Sequence, residues 1–209
     1  MQIDVRADTK KLTKWLNQAE RKQVPFATSR ALNATAFNVR SKLQKELPNY
    51  LDRPTGGIIK SVQVQTSSKR NLVATVGFVG DGFRKSQWRN SPASIMKKQI
   101  EGGVRYPNKK AIAVPVQLKT NTYGNIPRNK LTNLLANKKK YFSGVPKGRS
   151  NAGLYERKKN GLKMLVSWES KTNYNGGRYP FNYIAKSAVQ KNYKKNFDKE
   201  LTKALKSAK

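Results

Sequence analysis

The chain has 209 residues with 44 Lys and Arg against 11 Asp and Glu, no His and no Cys, and so carries a formal charge of +33 at pH 7. Without histidine or cysteine there is no Ser-His-Asp catalysis, no thiolate nucleophile, no disulfide framework and no ordinary zinc site. Leu, Ile, Val and Phe number only 45, near the lower limit for a chain that folds under high charge, and self-repulsion opposes compaction. The native state is therefore expected to gain from a partner that supplies negative charge or apolar contact.

The start, Met1-Gln2-Ile3-Asp4-Val5-Arg6, lacks the apolar run of a signal peptide, and no segment approaches the ~20 apolar residues that cross a bilayer. Synthesis in the cytoplasm, with no membrane partner, is the expectation. Residues 8–50 read as a helix pair. Asp8 or Thr9 can cap a first helix from Lys10 to about Arg21, with Leu12, Trp15, Leu16 and Ala19 on one face. Pro25 suits the first turn of a second helix, where its missing N–H costs nothing. In that helix Leu32, Ala36, Val39, Leu43, Leu47 and Tyr50 recur at helical spacing, and Arg53-Pro54-Thr55-Gly56-Gly57 ends it.

Residues 58–79 read as a hairpin, with Ile59, Val62 and Val64 before a polar turn at Thr66–Arg70 and alternating Leu72, Ala74, Val76 and Phe78 after it. Residues 81–91 have no period. A short helix is expected from Pro92 to Ile100, closed by Gly102-Gly103, then a short strand over Ala111–Val116 and a turn at Tyr123-Gly124-Asn125. Pro127 can open another short helix carrying Leu131, Leu134 and Leu135, and a basic, Gly-rich segment runs from Lys138 to Ser150. As a whole, 81–150 reads as an irregular insertion. Leu154–Arg157 and Leu162–Trp168 flank Asn160-Gly161, a strong hairpin signal.

A long helix closes the chain over 180–207. Phe181, Ala185, Val189, Tyr193, Phe197, Leu201 and Leu205 recur every four residues, Ile184, Ala188 and Ala204 widen the stripe, and lysines crowd the other face. The order of elements argues a single α+β domain: a long N-terminal helix pair, antiparallel hairpins forming a small sheet, and a long basic C-terminal helix. Leu32, Val39, Leu43, Val189, Tyr193, Phe197 and Leu201 are the expected core or subunit-packing residues.

The basic clusters are the strongest functional signal. They are Lys138, Lys139 and Lys140; Lys147 with Arg149; Arg157, Lys158 and Lys159; and Lys191, Lys194, Lys195 and Lys199 on the terminal helix. Lysine is a point charge suited to backbone phosphate rather than to base reading. These twelve are the candidate contacts to DNA or to an acidic partner, against the ordinary reading of a solvated helix face. Trp88, Tyr106, Tyr141, Phe142, Tyr155, Trp168, Tyr174, Tyr179 and Tyr183 lie near the cations and could stack bases, although core and interface filling is the simpler role. Gly-Val-Pro-Lys-Gly-Arg-Ser, from Gly144, lacks the spacing of a phosphate loop. For catalysis, Glu101 or Glu156 would have to be a nuclease carboxylate. The acids are scattered, whereas a two-metal site needs several to converge, so no catalytic residue, metal or cofactor is expected.

Some stretches also carry a likeness. Lys22–Thr28 leads into Ala31-Leu32-Asn33-Ala34-Thr35-Ala36, then comes a break at Leu51-Asp52-Arg53-Pro54, the Leu162–Trp168 strand, and Tyr179-Pro180-Phe181 before the basic terminal helix. This order resembles the minor tail protein Z family of lambda-like tailed bacteriophages and, more loosely, other phage neck and tail-completion proteins. The resemblance implies a structural virion component present in several copies. It would act at the head-proximal end of the tail in tail completion or head-tail joining, after assembly in the host cytoplasm. Other tail, neck or connector proteins, a ring-like homo-oligomer and genome DNA are the implied partners. The alternative is a free, non-specific nucleic-acid-binding protein.

Overall fold

The computed structural model describes residues 1–7, 18–80, 82–87, 90–108 and 110–207, and for residues 18–22 the backbone alone. The chain divides into two compact units: one formed by Met1–Ile100 with Gly177–Lys209, the other by Glu101–Gly176. The α+β class holds, but the stretch 81–150, expected to be irregular, carries two helices and three strands among its described residues, and the two predicted hairpins enter separate sheets.

In the first unit, β1 (Gln2–Arg6), β2 (Val62–Gln65) and β3 (Val73–Phe78) form an antiparallel sheet in the order β1-β3-β2. Ile3 pairs with Val76, and Val64 pairs with Val76 from the other side. The sequence reading leaves β1 out; five residues of alternating character are too short a signal without the partner strand. Ile58 and Ile59 belong to a helical turn, α2 (Gly56–Lys60), instead of opening the hairpin, because the Thr55 hydroxyl accepts the Ile58 N–H as an N-cap.

The expected helix pair also changes. One helix, α1 (Gln18–Tyr50), runs unbroken through Pro25, so the boundary expected there is absent. A proline removes one hydrogen bond and can be tolerated where tertiary contacts hold the helix; here Val24 and Ala27 on either side are fully buried. The predicted stretch from Lys10 to Asn17 lies outside the described residues.

Helix α1 packs along the last helix of the chain, Phe181–Lys206, while its other side covers the sheet. Leu32, Ala36, Val39, Leu43 and Leu47 are fully buried against Val62, Ala74, Val76 and Phe78. Polar side chains of α1 tie the edge strand down: Arg40 Nε and Gln44 Nε2 both donate to the Val62 carbonyl, at 3.1 and 3.2 Å. A second short helix, α3 (Pro92–Glu101), buries Ala93 and Met96, and Gly102 closes it at φ 77°.

In the second unit, β4 (Gly103–Arg105) pairs with β9 (Thr172–Tyr174) where the segment begins and ends. Between them, β5 (Ile112–Pro115), β6 (Tyr141–Gly144), β7 (Gly153–Lys158) and β8 (Gly161–Glu169) make an antiparallel sheet in the order β5-β8-β7-β6. Pro115, which has no N–H to give a ladder, sits on an edge strand. Strand β6 emerges from the basic, Gly-rich segment, where alternation is too short to read. The helix α4 (Lys130–Ala136) supplies Leu131, Leu134 and Leu135 to a small core with Leu154, Leu165 and Val166.

The final element, α5 (Phe181–Lys206), returns to the first unit. Its buried line is Phe181, Ile184, Ala185, Ala188 and Ala204, with Glu200 among them, whereas Val189, Tyr193, Phe197 and Leu201 are half-buried on a flank. The expected stripe is therefore present, deepest at Phe181 and Ala185 and at the widening residues Ile184, Ala188 and Ala204. The α1–α5 contact is extensive and partly polar: Asn196 Nδ2 donates to Thr35 Oγ1 at 3.0 Å and Arg30 Nε to Glu200 at 2.7 Å. Tyr193 and Phe197, half-buried, stack on each other with centroids 6.0 Å apart.

Candidate polyanion interface

Eight of the twelve candidate cations fall in the second unit and four on α5. In the second unit the fold joins clusters that are distant in sequence. The turn Lys138–Lys140 leads into β6, and Arg157 closes the antiparallel neighbour β7. The Arg157 N–H donates to the Lys140 carbonyl at 2.8 Å. Its Nη1 donates to the carbonyls of Lys138 and Lys139 at 2.9 and 3.4 Å. Asn137 holds the same turn, accepting the Lys140 N–H on its side chain at 3.2 Å.

Behind these cations is an aromatic stack. The Arg157 guanidinium lies 4.5 Å from the Phe142 centroid, Phe142 stacks on Tyr155 at 5.5 Å and 18°, and the Arg149 guanidinium lies 5.7 Å from the Tyr155 centroid. Phe142 and Tyr155 are register partners, so cross-strand pairing places the rings together. Tyr155 is fully buried and donates its hydroxyl proton to the Asn151 carbonyl at 2.7 Å, tying the loop after β6 to the sheet. Arg149 Nη2 donates to the Leu162 carbonyl at 3.4 Å. Both guanidiniums are held by rings and carbonyls, while Lys138, Lys139, Lys147 and Lys159 are exposed.

One acid organises this end of the sheet. The Glu156 side chain is 10% exposed, with Lys140 Nζ and Lys158 Nζ each 3.3 Å from a different oxygen. Burial works to raise its pKa, but the hydrogen bonds and charges of Lys158 and Lys140 outweigh that and hold it below the ordinary carboxylate value. Lys140 is pushed up by the same contact. Glu156 is thus an ion-pair anchor, and its oxygens are already engaged. Glu101 is exposed at the end of α3. Among the described residues no three acids gather into a metal-binding group. Sequence reasoning misses Lys163, which register places opposite Glu156. The signal was available: a two-residue turn at Lys159-Asn160 pairs 158 with 161 and hence 156 with 163. The strands turn there, one residue before the expected Asn160-Gly161.

On α5, Lys191, Lys194, Lys195 and Lys199 are exposed, and Lys194 pairs with Asp198 at 3.2 Å in an i, i+4 arrangement worth little at the surface. Glu200 turns inward, its carboxyl held below the ordinary range first by the Arg30 hydrogen bond and then by Lys203, against the opposing effect of burial. Asp198 and Glu200 therefore face different ways, as their i, i+2 spacing requires. Of the aromatics considered for base stacking, Trp88 lies outside the described residues and Tyr155 and Tyr179 are core residues, whereas Tyr183 is 74% exposed.

No helix among the described residues is long and apolar enough to cross a membrane. The chain matches no protein-family model, no curated protein and no solved structure.

Proposed function

We propose that the chain is a non-catalytic structural component of a tailed-bacteriophage particle, acting at the head-proximal tail or neck in tail completion or head-tail joining. The supporting observation is where the few acids go. Asp4, Glu46, Asp52, Glu156, Asp198 and Glu200 are each spent on neighbouring cations within the chain. Both compact units are left strongly cationic: residues 101–176 hold sixteen Lys and Arg against three acids. Such a surface is at its most stable beside an anionic body. The likeness of Ala31–Ala36 and Tyr179-Pro180-Phe181 to the minor tail protein Z family points to the virion as that body, with acidic neighbours or genome DNA at the surface and further copies of the chain in a ring.

Mass spectrometry of purified particles, with imaging to place the copies, tests this. The chain is expected in particles at a fixed copy number and near the head–tail junction. Absence from particles, with the protein recovered only as a free monomer on nucleic acid, overturns the proposal in favour of the second reading, a free nucleic-acid-binding protein. The arginine–aromatic stack with its surrounding lysines is the observation that favours that reading.

A further inference from the structure

We infer that the end of the second unit's sheet built from the Lys138–Lys140 turn and the Lys158–Lys159 hairpin is a contact site for the phosphate backbone of duplex DNA. This deepens the reading above, on which it rests only in taking genome DNA as the anion. Three observations carry it. The first is convergence: Arg157 binds the carbonyls of Lys138 and Lys139 directly, so two basic clusters about twenty residues apart share one surface. The second is preorganisation. Arg157 and Arg149 are seated on Phe142 and Tyr155, so the ordering of two long cationic side chains is already complete before an anion arrives. The third separates duplex from single strand. Stacking of single-stranded bases needs free ring faces, but here Tyr155 is fully buried and Phe142 lies against both Tyr155 and Arg157. The rings brace cations and leave nothing to stack a base on. A protein partner would want a buried aromatic or apolar anchor; the exposed large apolar residues of this unit, Val104, Tyr106, Val114, Val116, Tyr123 and Val145, all belong to segments other than the two basic turns.

The recognition is then of phosphates in sequence-independent fashion, with guanidiniums as fixed points and lysines as adaptable ones. Lys138, Lys139 and Lys159 reach outward without taking part in the ion pairs at Glu156, so they can be changed with the scaffold left alone.

The experiment titrates the full chain onto a fluorescent 20-base-pair duplex, a single strand of the same length and poly-glutamate, across a salt series. The triple variant Lys138→Gln/Lys139→Gln/Lys159→Gln is compared with Lys45→Gln/Lys60→Gln/Lys97→Gln, which removes equal charge from the first unit. Circular dichroism melts confirm that both fold. Expected is a loss of duplex affinity of at least tenfold at 0.1 M salt for the first triple, with its salt slope lowered by about 3 and a clearly smaller loss for the second. Equal losses in the two triples overturn the site, since the duplex would then feel only total charge. So does tighter binding of the single strand, or a loss confined to poly-glutamate. Particle incorporation of the same variant is scored separately: a variant that enters particles yet loses duplex affinity leaves the virion reading standing. A wild-type chain that binds the duplex but never enters particles removes that reading and keeps the site.

Discussion

Asn33 shows how a polar residue within an apolar helical face can be structural. Its Oδ1 accepts the Ser67 N–H at 2.7 Å, and its Nδ2 donates to the Ser67 carbonyl at 3.2 Å, clamping the β2–β3 connection to α1. Two residues on, Thr35 receives Asn196 from α5. The Ala31–Ala36 run therefore packs a sheet on one side and a helix on the other with nothing larger than Leu32. Tyr179 works similarly: buried, donating to the Leu43 carbonyl at 2.8 Å, its phenol pushed well above the ordinary value by burial. Glu200 gives the residue-scale prediction. Its folded pKa is depressed below 4.5, so its stabilisation is complete above the unfolded value and is lost as pH falls through the folded one. Glu200→Gln should cost about 1–2 kcal/mol near neutrality, a few degrees in melting temperature. In thermal melts the gap from wild type should stay constant down to about pH 5 and close below that. A gap independent of pH would show that the Arg30 pairing contributes nothing electrostatic.

At the scale of elements, the two units rest on different devices. The first buries one long helix and one returning helix against three strands. The second is a four-stranded sheet with one short helix on its small core. Gly153 is the tightest point of that sheet: a Cβ there would stand 2.5 Å from the Val166 carbonyl oxygen, beside the irregularity at Leu154/Tyr155. Gly153→Ala should therefore push β7 off β8, at a cost of about 1–3 kcal/mol. Hydrogen exchange should show amides of β7 and β8 losing protection while those of β2 and β3 keep theirs. Equal loss in both sheets would mean that the units unfold as one cooperative body.

For the whole molecule, the net charge of +33 dominates. Screening shortens the Debye length from about 13 Å at 0.05 M salt to about 4 Å at 0.5 M, which relieves repulsion between surface cations more than it weakens the part-buried pair at Glu200. Melting temperature should rise by several degrees over that salt range, and further with a polyanion such as polyphosphate, which binds the folded surface. A melting temperature that falls with salt would mean that the ion pairs outweigh the repulsion, and the case for an anionic setting would lose its physical basis.

Composition by itself determined the net charge and the absence of imidazole and thiol groups, because neither depends on fold. Periodicity alone determined the long helices, since Leu32, Val39 and Leu43 repeat one turn after another for many turns and each repeat reinforces the last. It could not rank depth within the α5 stripe: Val189, Tyr193 and Phe197 are at least as apolar as Ala185, Ala188 and Ala204, yet only the latter are buried. Depth within a stripe is a property of the helix together with the neighbours it packs against. Nor could it join Lys138 to Arg157. That contact exists because β6 and β7 pair in one register, and a strand of four residues acquires its register only from the neighbour it lies against.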